Sequence, residues 1–307
     1  MSKEQRDALD QLLRQAPLDL SVDVREQRAN FERILTATPL ADDVSAAPGT
    51  LGGIPMVAVD VAGVASDDII LYFHGGAYAL GSAASSVGLA SDLARRAGTR
   101  AISVDYRLAP EAPYPAALED AVAAYRGLLA SGQPAARIAL AGESAGAGLA
   151  VATLVALKAA GLPQPSSAAL MSPWADLTLA GASMAAKAAI DPELTREGLR
   201  RYAADYVAAA DAADGRISPV FADLTGLPPL LIQVGSHEIL LDDATRLAAR
   251  AAAADVAVTL EVTPGVPHVF QAFASLLDEA DAALTRAGAF LRAHLAATIE
   301  ARTRDRL

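Results

Sequence analysis

Short apolar runs recur along this chain: Ile69–Phe73, Ile138–Ala141 and Ala168–Met171 are apolar throughout, Ala101–Val104 and Leu230–Val234 are interrupted once, at Ser103 and Gln233, and Ala257–Val262 carries Thr259 and Glu261. Runs that are apolar at every position, rather than at every second one, belong to strands buried on both faces. Between them lie Ser82–Ala97, Pro115–Ala130, Ala145–Ala160 and Asp242–Ala254, and then a long stretch from about Asp278, all with helical spacing of apolar positions. Strand and helix in alternation predict an α/β fold: a mostly parallel central sheet with helices on both faces.

Two segments break the alternation. Residues 1–45 read as two amphipathic helices, with Leu9, Leu12 and Leu13 on the first and Phe31, Ile34 and Leu35 on the second. Pro39 and a Pro48-Gly49 turn end this segment, and Met56–Val61 follows as a short strand. Residues 175–215 insert a polar, helix-rich stretch that includes a charged helix over Thr195–Val207. Open α/β sheets place their sites outside the carboxyl ends of the strands. The expected division is therefore N-terminal cap helices over 1–45 and a catalytic domain over 46–307, with a cap insertion at about 175–215. An ordinary outer helix pair is the alternative.

Composition narrows the class. With 307 residues and 53% hydrophobic content the chain can bury a large core. Lys and Arg number 25 against 36 Asp and Glu, a net charge of −11, which argues against a nucleic-acid or anionic-membrane partner. There is no cysteine, hence no disulfide framework, thiolate nucleophile or Cys-ligated metal. The low-charge stretches Ser144–Leu157 and Ala159–Ala175 do not read as spans: a span needs roughly 20 residues, and the second contains three prolines. The charged N-terminus lacks the apolar core of a secretory signal, so the expected location is cytoplasmic.

The chemistry sits at Ile138–Gly146, where an apolar strand breaks into Gly142-Glu143-Ser144-Ala145-Gly146 and an apolar helix follows. In strand, G-x-S-x-G, helix, the glycines let the backbone reverse, and the serine stands at the tip of a strained turn. The Ala145 N–H, at the start of the helix, points where an oxyanion would form. Ser144 needs a base, and the chain has four histidines. His294 lies in the terminal helix, and His74 and His237 directly follow strands. His268 lies in the loop Pro264-Gly-Val-Pro-His268, between a strand and the next element, and is the best-placed base. The acid should leave the preceding strand: Glu238 sits in the loop, while Asp242 and Asp243 stand where a helix would start and cap it. Glu238 is preferred, with Asp242 as the alternative. Gly75 and Gly76, in His74-Gly-Gly-Ala-Tyr78, can turn their N–H groups inward as the other half of an oxyanion site.

Several motifs together carry a family resemblance: His74-Gly-Gly-Ala-Tyr78, Tyr106-Arg-Leu-Ala-Pro-Glu111 with Tyr114–Asp120, Gly142-Glu-Ser-Ala-Gly146, Ser172-Pro-Trp-Ala-Asp176 and His268-Val-Phe270. The chain resembles the bacterial hormone-sensitive-lipase-like esterases, α/β-hydrolases with a helical cap. The resemblance implies Ser144 as nucleophile, His268 as base and Glu238 as acid, with Gly75, Gly76 and Ala145 as oxyanion donors. It makes Tyr78 and Trp174 candidate pocket residues and the Tyr106–Glu111 and Ser172–Asp176 segments structural braces. Three positions depart from the family's usual pattern. Ala77 replaces the third glycine of H-G-G-G, which predicts poor tolerance of tertiary-alcohol esters. Glu143 and Glu238 each stand where Asp is common.

The implied function is a serine carboxylesterase acting on short- to medium-chain acyl esters through an acyl-enzyme, with neither metal nor organic cofactor. A lactone hydrolase or small-metabolite deacetylase would use the same triad. A small-molecule receptor on the same fold is the non-enzyme alternative, and the retained His268 argues against it. The partner is a small-molecule ester. The resemblance also suggests a homodimer through the edge strand near 257–262.

Overall fold

Continuous apolar runs become the middle of a sheet because both of their faces must be covered. The computed structural model describes residues 3–15 and 23–304. Among these, eight strands form one sheet: β1 (Val44–Leu51), β2 (Ile54–Val61), β3 (Ile69–Phe73), β4 (Arg100–Val104), β5 (Ile138–Glu143), β6 (Ala168–Met171), β7 (Leu230–Gly235) and β8 (Val258–Thr263). Their order is β1-β2-β4-β3-β5-β6-β7-β8, antiparallel at β1/β2 and β2/β4 and parallel from β4 to β8.

Alternate residues of β3 show how the layers are filled. Leu71 and Phe73 point into the larger core under α4 (Ala116–Ala130), α5 (Ala145–Ala159) and α8 (Leu241–Ala253). Ile70 and Tyr72 point the other way, toward α3 (Val87–Ala97) and α9 (Asp278–Arg304). All four side chains are buried. α5 crosses the middle of the sheet and is almost wholly buried, so its apolar character runs round its whole circumference.

Two local expectations are corrected. Pro48-Gly49 is not a turn: both residues lie inside β1, which pairs with β2 from Val44↔Val61 to Leu51↔Ile54, and the reversal falls at Gly52-Gly53. As an edge strand, β1 tolerates the proline, and its exposed face carries no apolar alternation to read. The helix expected from Ser82 begins at Val87. Ser82, Ser85 and Ser86 instead form a hydrogen-bonded serine turn, in which Ser82 N–H donates to Ser85 Oγ at 2.9 Å and Ser85 N–H to Ser82 Oγ at 3.1 Å.

The first expected segment contains α1 (Lys3–Gln15) and α2 (Val24–Leu35), and its residues 16–22 lie outside the described residues. Between β6 and β7 lie α6 (Ser183–Ala186) and α7 (Arg196–Val207), the latter capped by the Thr195 hydroxyl on Gly198 N–H. Arg14 of α1 donates to the Ile190 carbonyl at 3.0 Å, and Arg28 of α2 to the Ala79 and Ala109 carbonyls at 2.7 and 2.8 Å. Both helices thus contact segments beside the carboxyl ends of the strands. Among the described residues no helix is long and apolar enough to cross a membrane.

Candidate active site

Parallel strands in register bring their following loops to one edge. β3 ends at Phe73, opposite Gly142 of β5; Glu143 lies opposite Met171 of β6; Gly235 of β7 lies opposite Thr263 of β8. His74, Ser144, Ser172, Glu238 and His268 therefore all emerge at the same rim.

Ser144 sits at φ 54° and ψ −122°, a region that non-glycine residues rarely occupy. The turn closes so tightly that its glycines have no room for a side chain. A Cβ on Gly146 would lie 2.0 Å from the Phe73 carbonyl oxygen, and one on Gly142 would lie 2.6 Å from the Gly146 carbonyl carbon. Gly146→Ala is expected to cost at least about 2 kcal/mol through forced backbone movement, read as a lowered midpoint in urea unfolding.

The structure brings the three expected triad residues together. His268 Nε2 lies 2.9 Å from Ser144 Oγ, and His268 Nδ1 lies 2.6 Å from Glu238 Oε2. A carboxylate only accepts, so Nδ1 carries the proton and Nε2 is left to accept from the serine hydroxyl. Glu238 is fully buried, and its other oxygen accepts from Ser172 Oγ–H at 2.8 Å and from Gly235 N–H at 2.7 Å. Ser172 Oγ in turn accepts from Val269 N–H at 3.0 Å, tying the acid to the loop that carries the base. Asp242, the alternative acid, accepts from Ser183 N–H at 2.9 Å and does not approach the histidine.

Burial works against a charged His268, but Glu238, with further help from Glu193 and Asp191, outweighs it, and the imidazole pKa is raised above its usual 6.5. A base must be neutral to accept a proton. The acid limb of kcat/KM is accordingly expected above pH 6.5, activity rising with pH through it. A rate profile on p-nitrophenyl butyrate between about pH 5 and 9 checks this. Asp191, in the segment before α7, takes Ile239 N–H at 2.8 Å, next to the catalytic acid, as well as the N–H groups of Glu193 and Leu194. Nothing local in the sequence marks Ser172, Asp191 or Glu193 as neighbours of the triad, because each contact joins segments distant along the chain.

The oxyanion loop differs from the expectation at one position. Gly75 N–H is not free: it donates to Glu143 Oε1 at 2.7 Å. Gly75 is thus corrected from donor to anchored residue, since one N–H cannot serve a buried carboxylate and a substrate at once. The N–H groups of Gly76, Ala77 and Ala145 have no partner among the described residues. Ala77 sits at φ 54°, so the alanine pays a left-handed cost on the order of 1 kcal/mol that glycine would not. His74 is held neutral by burial, its pKa lowered to about 4, and its Nδ1–H donates to the Gly75 carbonyl at 2.7 Å.

Tyr78 and Trp174 are corrected as well. Both are fully buried; Tyr78 stacks on Tyr206 at 3.8 Å and the tilted Trp174 ring lies 6.1 Å away. Their large apolar faces are spent on packing rather than on a ligand. A separate open cleft of about 710 Å³ lies over α7, lined by residues including Leu177, Leu179, Arg196 and Val207, and none of the triad lines it.

The model of a family with the alpha/beta hydrolase fold matches residues 70–272. A crystal structure of an esterase from the bacterial hormone-sensitive lipase family superposes with a TM-score of 0.92 at 42% identity, covering 96% of this chain and all of that one. The chain belongs to this hydrolase family. A structure of EstE5 soaked with p-nitrophenyl butyrate superposes equally well, TM-score 0.92 at 40% identity and with the same coverage. In sequence, the hydrolase is 51% identical over 223 residues to an acetyl-hydrolase of Streptomyces hygroscopicus, covering 73% of this chain and 75% of that one. It is 37% identical over 279 residues to the putative acetyl-hydrolase LipR of Mycobacterium tuberculosis, covering 86% and 87%. The fold and family expected from the motifs are both borne out.

Proposed function

We infer that the protein is a serine carboxylesterase that hydrolyses short- to medium-chain acyl esters through an acyl-enzyme. The observation that carries this reading is the unbroken hydrogen-bond chain from Ser144 Oγ through His268 to Glu238. Ser144 attacks the ester carbonyl as His268 Nε2 takes its proton, and Glu238 stabilises the imidazolium. The oxyanion is received by the N–H groups of Gly76, Ala77 and Ala145. The imidazolium then protonates the leaving alcohol. A water, deprotonated by the same nitrogen, attacks the acyl-enzyme and releases the acid and free Ser144.

The cap belongs to this reading: α1, α2 and the segment of about 175–215 cover the rim and limit the acyl chain. Support comes from the Arg14 and Arg28 contacts and from Asp191, which fastens the insertion to the catalytic-acid loop. A homodimer along β8 also belongs to it, its support being that the outer edge of β8 pairs with no strand among the described residues and that Leu260 and Val262 are exposed. A cytoplasmic location completes it.

The test is a p-nitrophenyl ester series. Acetate and butyrate are expected to turn over and laurate to lag well behind. If acetate and butyrate were left untouched the reading would fall. The similarity to acetyl-hydrolases favours a second reading on the same triad, deacetylation of a small metabolite. Acetate released from acetylated metabolites faster than alcohol from butyrate esters would select it.

Ala77 offers a further check. Ala77→Gly is expected to remove the left-handed cost, stabilise the fold by up to about 1 kcal/mol and admit tertiary-alcohol esters. Thermal unfolding and turnover of tert-butyl acetate measure the two effects. Easy hydrolysis of tert-butyl acetate by the unaltered enzyme would contradict the second.

A further inference from the structure

Tracing the backbone polar groups of the oxyanion loop shows how it is held. The His74 carbonyl accepts from Tyr106 Oη–H at 2.6 Å. Gly75 N–H donates to Glu143, and the Gly75 carbonyl accepts from the His74 ring. The Gly76 carbonyl accepts from the N–H groups of Ala79 and Leu80 at 3.0 and 2.7 Å. Between the His74 carbonyl and the Gly76 carbonyl, one group is left over, the Gly76 N–H, and the Ala77 N–H follows it. The His74 and Gly76 carbonyls and both backbone groups of Gly75 are tied down, so the direction of these two is set by their neighbours.

Glu143 is the one side chain in this set that also adjoins the nucleophile. It directly precedes Ser144 at the end of β5, and a Cβ on Gly75 would lie 3.2 Å from its Cγ and 3.3 Å from the Ser144 Cβ. Its second oxygen accepts from the Oη–H of Tyr72, on the neighbouring strand β3. Tyr72 is fully buried and its pKa is pushed well above 10, by burial first and the Glu143 charge second, so it stays a donor. The carboxylate thus spans three elements, the elbow, β3 and the oxyanion loop.

We propose that Glu143 is a positioning residue of the oxyanion hole: anchored on Tyr72, it occupies Gly75 N–H and thereby aims the Gly76 and Ala77 N–H groups at the developing oxyanion. The proposal rests on the esterase reading and deepens it. It also gives a reason for the departure from the family's usual Asp, since the extra methylene lets the carboxylate reach Tyr72 and the loop together.

The ionisable groups facing Glu143 are Tyr72 on β3, Tyr106 after β4 and His268 after β8. Burial raises the Glu143 pKa to about 7, against the pull of Tyr72, Gly75 and the His268 charge. Attraction between Glu143 and His268 is mutual, so removing the glutamate charge lowers the proton affinity of the imidazole.

The experiment compares Glu143→Ala, Glu143→Gln and Tyr72→Phe. Readouts are kcat and KM on p-nitrophenyl butyrate, the pH profile, and affinity for butylboronic acid, which forms a tetrahedral adduct on Ser144. Glu143→Ala is expected to lower kcat on the order of 10²-fold, as for loss of one oxyanion donor, with KM little moved and boronate affinity falling in parallel. Glu143→Gln, whose amide oxygen still accepts from Gly75, is expected to recover most of both and to shift the acid limb of kcat/KM to lower pH. Tyr72→Phe is expected to fall between the two.

Boronate affinity and kcat within twofold of wild type in Glu143→Ala would overturn the proposal. So would equal losses in the Gln and Ala variants with no shift of the acid limb. If Glu143→Ala does not fold, the Gln and Tyr72→Phe pair decides by the same criteria. The boronate adduct needs Ser144 and the oxyanion donors but no ester turnover, so a failure of the esterase reading shows separately, as wild type that binds boronate and hydrolyses no ester.

Discussion

Ser144→Ala is expected to lower kcat on p-nitrophenyl butyrate by on the order of 10⁶-fold. The magnitude follows from how the triad acts. His268 serves the reaction by taking the proton of the Ser144 hydroxyl, whose Oγ lies 2.9 Å from its Nε2, and without the hydroxyl both imidazole and carboxylate have nothing to activate. What remains is water attack on an ester whose carbonyl is still polarised by three N–H groups, which leaves a residual rate about 10³–10⁴-fold above the uncatalysed one. The substitution deletes one oxygen and leaves the backbone at φ 54° as it was, so circular dichroism and the unfolding midpoint should barely move. Phenylmethylsulfonyl fluoride gives an independent check: wild type gains one sulfonyl group by intact mass, and the variant gains none. A variant that kept more than about one per cent of the activity would put the nucleophile elsewhere.

Much of this was legible because the information is local. A strand, a turn too tight for side chains and an apolar helix follow one another within Ile138–Ala159, and steric exclusion at Gly142 and Gly146 leaves that turn almost no other residues. The order Ser144, Glu238, His268 could be read the same way, each residue lying in the segment that follows an expected strand. β1 was not legible. Its outer residues face solvent, Pro48 and Gly49 look like a turn, and only the ladder to β2 makes it a strand. The start of α3 was obscured because Ser82 to Ser86 satisfy their own backbone groups, and helix spacing says nothing about that competition.

The site's departures from sequence expectation have a common physical source: hydrogen-bond pairing over long separations leaves no periodic trace. Gly75 and Gly76 look equivalent in sequence. They differ because a carboxylate 68 positions away takes one N–H and not the other. The resemblance suggests Tyr78 and Trp174 as pocket residues, yet both are buried, Tyr78 stacked on Tyr206 and Trp174 tilted beside Tyr78. Ser172 reads as part of a structural brace, and it is one, but the brace ends on the catalytic acid itself.

That brace fixes what happens when the acid is changed. Glu238→Gln is expected to lower kcat by on the order of 10⁴-fold while leaving the fold intact. Two donors, Ser172 Oγ–H and Gly235 N–H, converge on Glu238 Oε1, so a glutamine must place its carbonyl oxygen there. The amide nitrogen then faces His268 Nδ1, a contact that is tolerable only if Nδ1 gives up its proton and accepts. The imidazole moves to the other tautomer, with its hydrogen on Nε2 pointing at Ser144 Oγ, and it can no longer take the serine proton. The loss thus comes from the tautomer as much as from the missing charge. Loss of the charge also removes the main support for the imidazolium, so the acid limb of kcat/KM should move to lower pH even as the plateau collapses. Glu238→Asp keeps an acceptor-only group and should retain far more activity than the glutamine variant, though its shorter stem must give up part of the Ser172, Gly235 or His268 contacts. ¹H NMR of the downfield Nδ1 proton tests the tautomer directly: present in wild type and Glu238→Asp, absent in Glu238→Gln. A glutamine variant that kept both that resonance and wild-type turnover would show that His268 is oriented by something other than Glu238.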